Sequence, residues 1–80
     1  MDVEKIVYEE LSALTGLEPD ELAGLCEENL FEAGILDSLS LMALLTAVKD
    51  RLGCTVNLRD HTAKDFSTIP SIIGIVSRAL

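Results

Sequence analysis

Apolar residues recur at helical spacing in three stretches of the chain. In the first, Val3, Ile6, Val7, Leu11 and Leu14 fall on one stripe, which predicts a helix from about Asp2 to about Leu14. Asp2 and Glu4 suit its first turn, where the helix dipole is positive. Gly16 is a stop signal, and Pro19 prevents simple continuation. The second helix runs from about Ser38 to about Leu52, with Gly53 as its end. At about 3.6 residues per turn it divides sharply into two faces. Leu41, Leu44, Leu45, Val48 and Leu52 share the face that meets the core, and Leu39, Met42, Ala43, Thr46, Lys49 and Asp50 share the other. The third stretch opens with Thr68-Ile69-Pro70-Ser71, where Pro70 is tolerated in a first turn, and buries Ile69, Ile72, Ile73, Val76 and Leu80.

Between these helices the pattern changes. Residues 15–37 hold no sustained period, apart from a short helical turn around Pro19-Asp20-Glu21-Leu22-Ala23. A loose loop of that length is unusual in a compact domain, so Leu17, Leu22, Leu25, Leu30 and Phe31 are expected to pin it over the helices. Gly34 marks a backbone geometry that a side chain would hinder. Cys54-Thr55-Val56 reads as locally extended, but so short a strand has no partner elsewhere, and the stretch is expected to be a connector. A short third helix is expected around Arg59 to Asp65. The prediction is an all-α fold: a small four-helix bundle, with a long loop between helices 1 and 2 and a short helix 3.

Composition narrows the picture. Eighty residues, 49% of them hydrophobic, make one domain over residues 1–80 with a small core. Tyr8, Phe31 and Phe66 are the only aromatic side chains of the Phe, Tyr and Trp class, so that core must be mostly aliphatic. No run of eighteen apolar residues is present to span a membrane, and the first residues lack the apolar stretch of a signal peptide; a cytoplasmic protein is expected. The net charge of −8 disfavours nucleic acid and anionic membrane surfaces as partners. Residues 1–37 hold eleven acids and one base, whereas residues 38–80 hold three acids and five bases, so the acidity belongs to the first helix and the loop. Cys26 and Cys54 have no metal-ligand spacing and are expected as reduced, largely buried thiols. His61, alone, is expected as a surface or half-buried residue and not a metal ligand. No catalytic constellation or Gly-rich phosphate loop is visible, which argues against an enzyme.

The stretch with the most chemistry is Leu30 to Ser40. Asp37 is a good helix cap, and an apolar-periodic run follows it directly. Ser38 then falls at the first helical position, where unpaired N–H groups and the positive end of the dipole would favour an attached phosphate. On spacing alone, a polar first-turn residue is the plainer reading of Ser38. Leu39 and Met42 are large apolar residues on the outer face beside it. Periodicity leaves two readings of them open: a docking patch, or residues covered by the long loop.

The segment Phe31-Glu32-Ala33-Gly34-Ile35-Leu36-Asp37-Ser38-Leu39 resembles the attachment segment of acyl carrier proteins, and the resemblance extends over nearly the whole chain. It implies that Ser38 carries phosphopantetheine, delivered from coenzyme A by a phosphopantetheinyl transferase with magnesium, and that Asp37 lies next to the metal or transferase in that step. It further implies that the cofactor's thiol holds acyl or aminoacyl groups as thioesters for a biosynthetic pathway. The partners would be a loading enzyme and downstream transferases, and the protein a monomer. It favours docking through Leu39, Met42, Ala43 and Thr46. The second helix departs from common fatty-acid carriers in having few acids, and the Gly-Gly-x-Ser of many peptidyl carriers is missing. Phe-Glu-x-Gly-x-Leu-Asp-Ser, with the Val56 to Ile69 stretch, looks closest to stand-alone D-alanyl carrier-like proteins. A carrier-like module that is never modified and serves only protein–protein interaction is the alternative.

Overall fold

The structure, a computed structural model, describes residues 2–80. Four α-helices form in chain order: α1 (Val3–Thr15), α2 (Pro19–Ala23), α3 (Ser38–Leu52) and α4 (Ile69–Ala79). Each of the three long helices starts where a side chain replaces a missing backbone partner. Asp2 accepts the Lys5 N–H at 3.1 Å, Asp37 accepts the Ser40 N–H at 2.8 Å, and Thr68 accepts the Ser71 N–H at 3.3 Å. Both α1 and α3 end on a glycine in the left-handed region, Gly16 at φ 77° and Gly53 at φ 71°, which returns its N–H to the last turn.

The core is one aliphatic cluster closed by a single buried aromatic ring. Ile6, Val7 and Leu11 of α1 meet Leu41, Leu44, Val48 and Leu52 of α3 and Ile69, Ile72, Ile75 and Val76 of α4, with Leu22, Leu30, Leu36, Cys54 and Phe66 filling the ends. The helix ends depart from the expected stripes. Leu14 and Leu80 are exposed, Ile73 gives its place to Ile75, and Leu45 is only half-buried at the edge of the α3 face. Leu44, fully buried, is the central α3 side chain instead.

The expected short third helix is two separate 3-10 turns, Leu58–Asp60 and Ala63–Phe66. Short polar side chains compete with helical hydrogen bonding here. Asn57 Oδ1 accepts the Arg59 N–H at 2.9 Å, and Asp65 Oδ2 accepts the Thr62 N–H at 3.0 Å. Thr62 is thereby held extended at φ −105°, ψ 166°, which breaks the helix in its middle.

The long loop is tied down where its leucines predicted. Leu30 is fully buried, and its N–H donates to the Ser67 carbonyl at 2.6 Å. Its own carbonyl accepts the N–H groups of Ile35 and Leu36 at 2.9 and 3.1 Å. Between these contacts, Asn29 Oδ1 accepts from Phe31 and Glu32, both at 3.0 Å, and Gly34 turns the chain at φ 75°. Arg51 of α3 also reaches Glu9 and Glu10 of α1 at 3.0 and 3.1 Å, an exposed pairing of little energetic weight. The Tyr8 hydroxyl lies 3.2 Å from Cys26 Sγ, joining α1 to the loop.

Two outcomes test this packing. Leu44→Ala should cost about 2–5 kcal/mol in chemical denaturation, and Leu45→Ala clearly less; equal losses would place Leu45 in the core after all. The hydrogen bond to Cys26, assisted by partial burial and by negative charge on Cys26 and Glu4, pushes the Tyr8 hydroxyl up to about 12. Its contribution to stability is therefore complete below its ordinary value near 10 and lost as pH rises through about 12. Tyr8 is the only tyrosine and tryptophan is absent, so tyrosinate absorbance reports it alone. Cys26→Ala should bring the titration midpoint back toward 10.

Candidate functional site

The loop hands the chain to α3 at Asp37 and Ser38. Both are exposed, and Ser38 is the first residue of the helix. The Asp37 carboxyl is held below its ordinary range, chiefly by the Ser40 backbone N–H and then by the Ser40 hydroxyl. The carboxylate is thus ionised at neutral pH, with one oxygen committed to the cap and its flank open to solvent. Two serines of the second half differ in setting. Ser67 is buried, with its hydroxyl donating to the Lys64 carbonyl at 2.6 Å. Ser71 is exposed near the start of α4, but its Oγ accepts from Thr68 Oγ1 at 2.9 Å.

The outer face of α3 is open beside Ser38. Leu39 is 82% exposed and Met42 50% exposed, so the long loop does not cover them. Ala43, Thr46, Lys49 and Asp50 are exposed as well. The four residues expected as a docking patch therefore share one solvent-facing strip, with Lys49 and Asp50 of opposite charge at its far end.

The other flank of Ser38 opens into a cleft of about 230 Å³. Ser38, Leu41 and Met42 contribute from α3, Phe31 from the loop, and His61, Thr62 and Phe66 from the connector. Leu41 lies in the core as its stripe predicts and also reaches the cleft, and His61 is half-buried, within the surface or half-buried placement expected for it. The spacing of Ser38 to Leu41 and Met42, three and four residues on, was the available signal for the α3 wall. Nothing in the spacing pointed to His61, which the connector brings in from 23 positions away. Among the described residues, no group of three or more His, Cys, Asp or Glu could hold a metal. Cys54 is buried and Cys26 half-buried, both as free thiols.

An exposed hydroxyl on the first turn of a helix, behind a capping carboxylate, suits a covalently held phosphate ester. A family model described as "Phosphopantetheine attachment site" matches residues 5–76. The chain belongs to this family of phosphopantetheine-bearing carriers. It is also 30% identical over 77 residues to the D-alanyl carrier protein of Streptococcus suis, covering 95% of this chain and 94% of the relative. To the D-alanyl carrier protein of Latilactobacillus sakei it is 34% identical over 74 residues, 92% of each chain. The protein is accordingly a carrier of acyl or aminoacyl groups held as thioesters on covalent phosphopantetheine, and the comparisons do not favour an unmodified interaction module. A carrier meets a phosphopantetheinyl transferase and loading enzymes, and among the described residues no helix is long and apolar enough to cross a membrane.

The cap makes a pH-dependent prediction. A carboxyl whose folded value is depressed stabilises the fold above its unfolded value and loses that contribution as pH falls through the folded one. Asp37→Ala should lower the melting temperature at neutral pH, and the gap from wild type should shrink on acidification below pH about 4. Asp37→Asn, which keeps a capping oxygen, should retain most of the stability.

Proposed function

We propose that Ser38 is the attachment residue, and that residues 1–80 act as a single carrier domain presenting its cargo from the first turn of α3. The observation that carries this reading is the exposed Ser38 hydroxyl directly behind the Asp37 cap, with an apolar strip on one side and a cleft on the other. The residues fit the group: a phosphodiester on Ser38 would lie at the N-terminal end of α3, where backbone N–H groups and the helix dipole favour negative charge. When bound, phosphopantetheine supplies a thiol on a flexible arm, and that thiol bears the thioester.

The chain's own residues do the rest. Ser38 provides the oxygen to be esterified, and Asp37 holds the helix start in register. The exposed flank of the Asp37 carboxylate is available to the metal or transferase during attachment. Leu39, Met42, Ala43 and Thr46 form the docking strip for partner enzymes. The names of the two relatives support an aminoacyl cargo. The partners are a phosphopantetheinyl transferase, an aminoacyl-loading enzyme and a downstream transferase. The protein works as a monomer in the cytoplasm, and the chemistry on its cargo is done by partner enzymes.

Incubation with coenzyme A, magnesium and a broad-specificity transferase tests the attachment. Wild type should gain the mass of one phosphopantetheine and Ser38→Ala none; a gain retained by Ser38→Ala would move the site elsewhere. The docking strip makes a separate prediction. Lys49 and Asp50 nearly cancel, so steering from this face is weak and apolar burial carries most of the contact energy. Leu39→Glu or Met42→Glu should weaken loading by the cognate enzyme far more than Lys49→Ala or Asp50→Ala. Affinity should change little between low and moderate salt. A steep loss with salt, and indifference to the two apolar substitutions, would assign docking to charge instead.

A further inference from the structure

An open groove of about 510 Å³ lies between α1 and α2. It shares no residue with the outer strip of α3 or with the cleft beside Ser38. Helical spacing builds both walls. Glu4 and Tyr8 are four residues apart on α1, as are Lys5 and Glu9, so α1 stacks them as neighbours on one side. Pro19 and Ala23 are likewise four apart, at the first and last positions of α2. The floor is apolar, made by Tyr8, Pro19 and Ala23. Tyr8 is half-buried, and its hydroxyl stands 3.2 Å from Cys26 Sγ, which holds the ring in the floor. The rim is acidic: Asp2, Glu4 and Glu9 line the groove against one base, Lys5. Glu18 and Asp20, exposed on either side of Pro19, add carboxylates at the α2 wall. Glu9 is engaged by Arg51 at 3.0 Å and Asp2 by the α1 cap, whereas Glu4 and Asp20 are exposed.

An apolar floor inside an acidic rim defines its complement. Nucleic acid and anionic lipid are repelled by the carboxylates. A bare cation leaves the floor uncovered. We propose that this groove docks a cationic amphipathic segment of a partner protein. An aliphatic side chain of that segment covers Tyr8, Pro19 and Ala23, and lysines or arginines beside it meet Glu4, Asp20 and their acidic neighbours. The Tyr8 ring adds attraction for a cation over its face. Charge complementarity extends beyond the groove: residues 1–37 hold eleven acids and one base, and their field reaches a basic partner over about 10 Å at 0.1 M salt. The strip around Leu39 and Met42 has no such field. The two surfaces therefore take partners of different chemistry, and docking at α1 and α2 uses none of the residues around Ser38. The proposal does not depend on which serine is modified.

The probe is a synthetic peptide of leucine and lysine at helical spacing, about 12 residues and ~18 Å long as a helix. A scrambled peptide of the same composition, with no apolar face, is its control. Tyr8 is the only tyrosine and tryptophan is absent, so tyrosine fluorescence of the full chain reports the groove alone. Isotope-labelled protein maps the contact by amide shifts. The expected result is saturable binding of the amphipathic peptide, with shifts centred on the first half of α1 and on α2. Affinity should fall steeply as salt rises, and the scrambled peptide should bind much more weakly. Glu4→Lys reverses a rim charge and Ala23→Arg places a cation on the floor. Both positions are exposed, and each change should weaken binding about fivefold or more. Glu32→Lys makes the same charge change on the exposed loop outside the groove and should matter far less. Circular dichroism checks that the variants fold, and the wild-type shift map stands even if one does not. Equal binding of the scrambled peptide, or an equal loss from Glu32→Lys, would reduce the groove to a diffuse acidic field and overturn the proposal. Shifts centred on Leu39 and Met42, or no binding at low salt, would overturn it too.

Discussion

Leu30 is the fixed point of the molecule. Its side chain is fully buried, its N–H holds the Ser67 carbonyl, and its carbonyl collects the N–H groups of Ile35 and Leu36. One residue thus ties the long loop to the connector before α4 and bends the loop back on itself just ahead of Asp37. A buried backbone group left without a partner is costly, so these three bonds and the leucine's burial reinforce one another. Everything at the site inherits its position from this knot. Phe31 follows it into one wall of the cleft, the turn at Gly34 brings the chain round, and Asp37 arrives where α3 must start. The Leu30–Ser67 bond also sets the height of the Ala63–Phe66 turn, and with it the place of Phe66 and His61.

The division of charge and apolar surface follows from that arrangement. The acids are concentrated in α1 and the loop, some of them engaged: Glu9 and Glu10 by Arg51, and Asp37 by the α3 cap. The strip around Leu39 and Met42 is left nearly neutral. A carrier built this way separates its long-range field from its contact surface. The acids of α1 and the loop disfavour nucleic acid as a partner, while the strip proposed for docking offers apolar burial in place of charge. Ser38, the proposed attachment residue, lies on the boundary between that strip and the cleft lined by Phe31, His61 and Phe66. The same first turn of α3 therefore presents an apolar strip on one flank and a cleft on the other.

Much of this was legible in the chain. The three amphipathic helices, their caps at Asp2, Asp37 and Thr68, and the loop leucines all follow from local rules, because each depends on neighbours within a few positions. The departures occur where tertiary packing decides. Periodicity could not separate Leu44 from Leu45, since one helical turn puts both near the same face and the angle to α1 and α4 selects between them. The frayed expectations at Leu14 and Leu80 reflect helix ends with no neighbour to pack on. The connector's polar residues tolerate a helix, so the local pattern predicts one; the capture of the Thr62 N–H by Asp65 splits it into two turns. Ser38 and Asp37 were visible from sequence, but the cleft was not. Its walls come from three separate segments, and only the fold brings His61 and Phe31 to the same place.

The central claim is that the first turn of α3, set by the Leu30 knot, presents Ser38 as the one point of attachment. Its most direct test is tandem mass spectrometry of the protein isolated from its own cells. The account predicts a peptide carrying phosphopantetheine, with or without a thioester-linked group, localised to Ser38. A chain found only unmodified, or modified at Ser40 or Ser71, would contradict it.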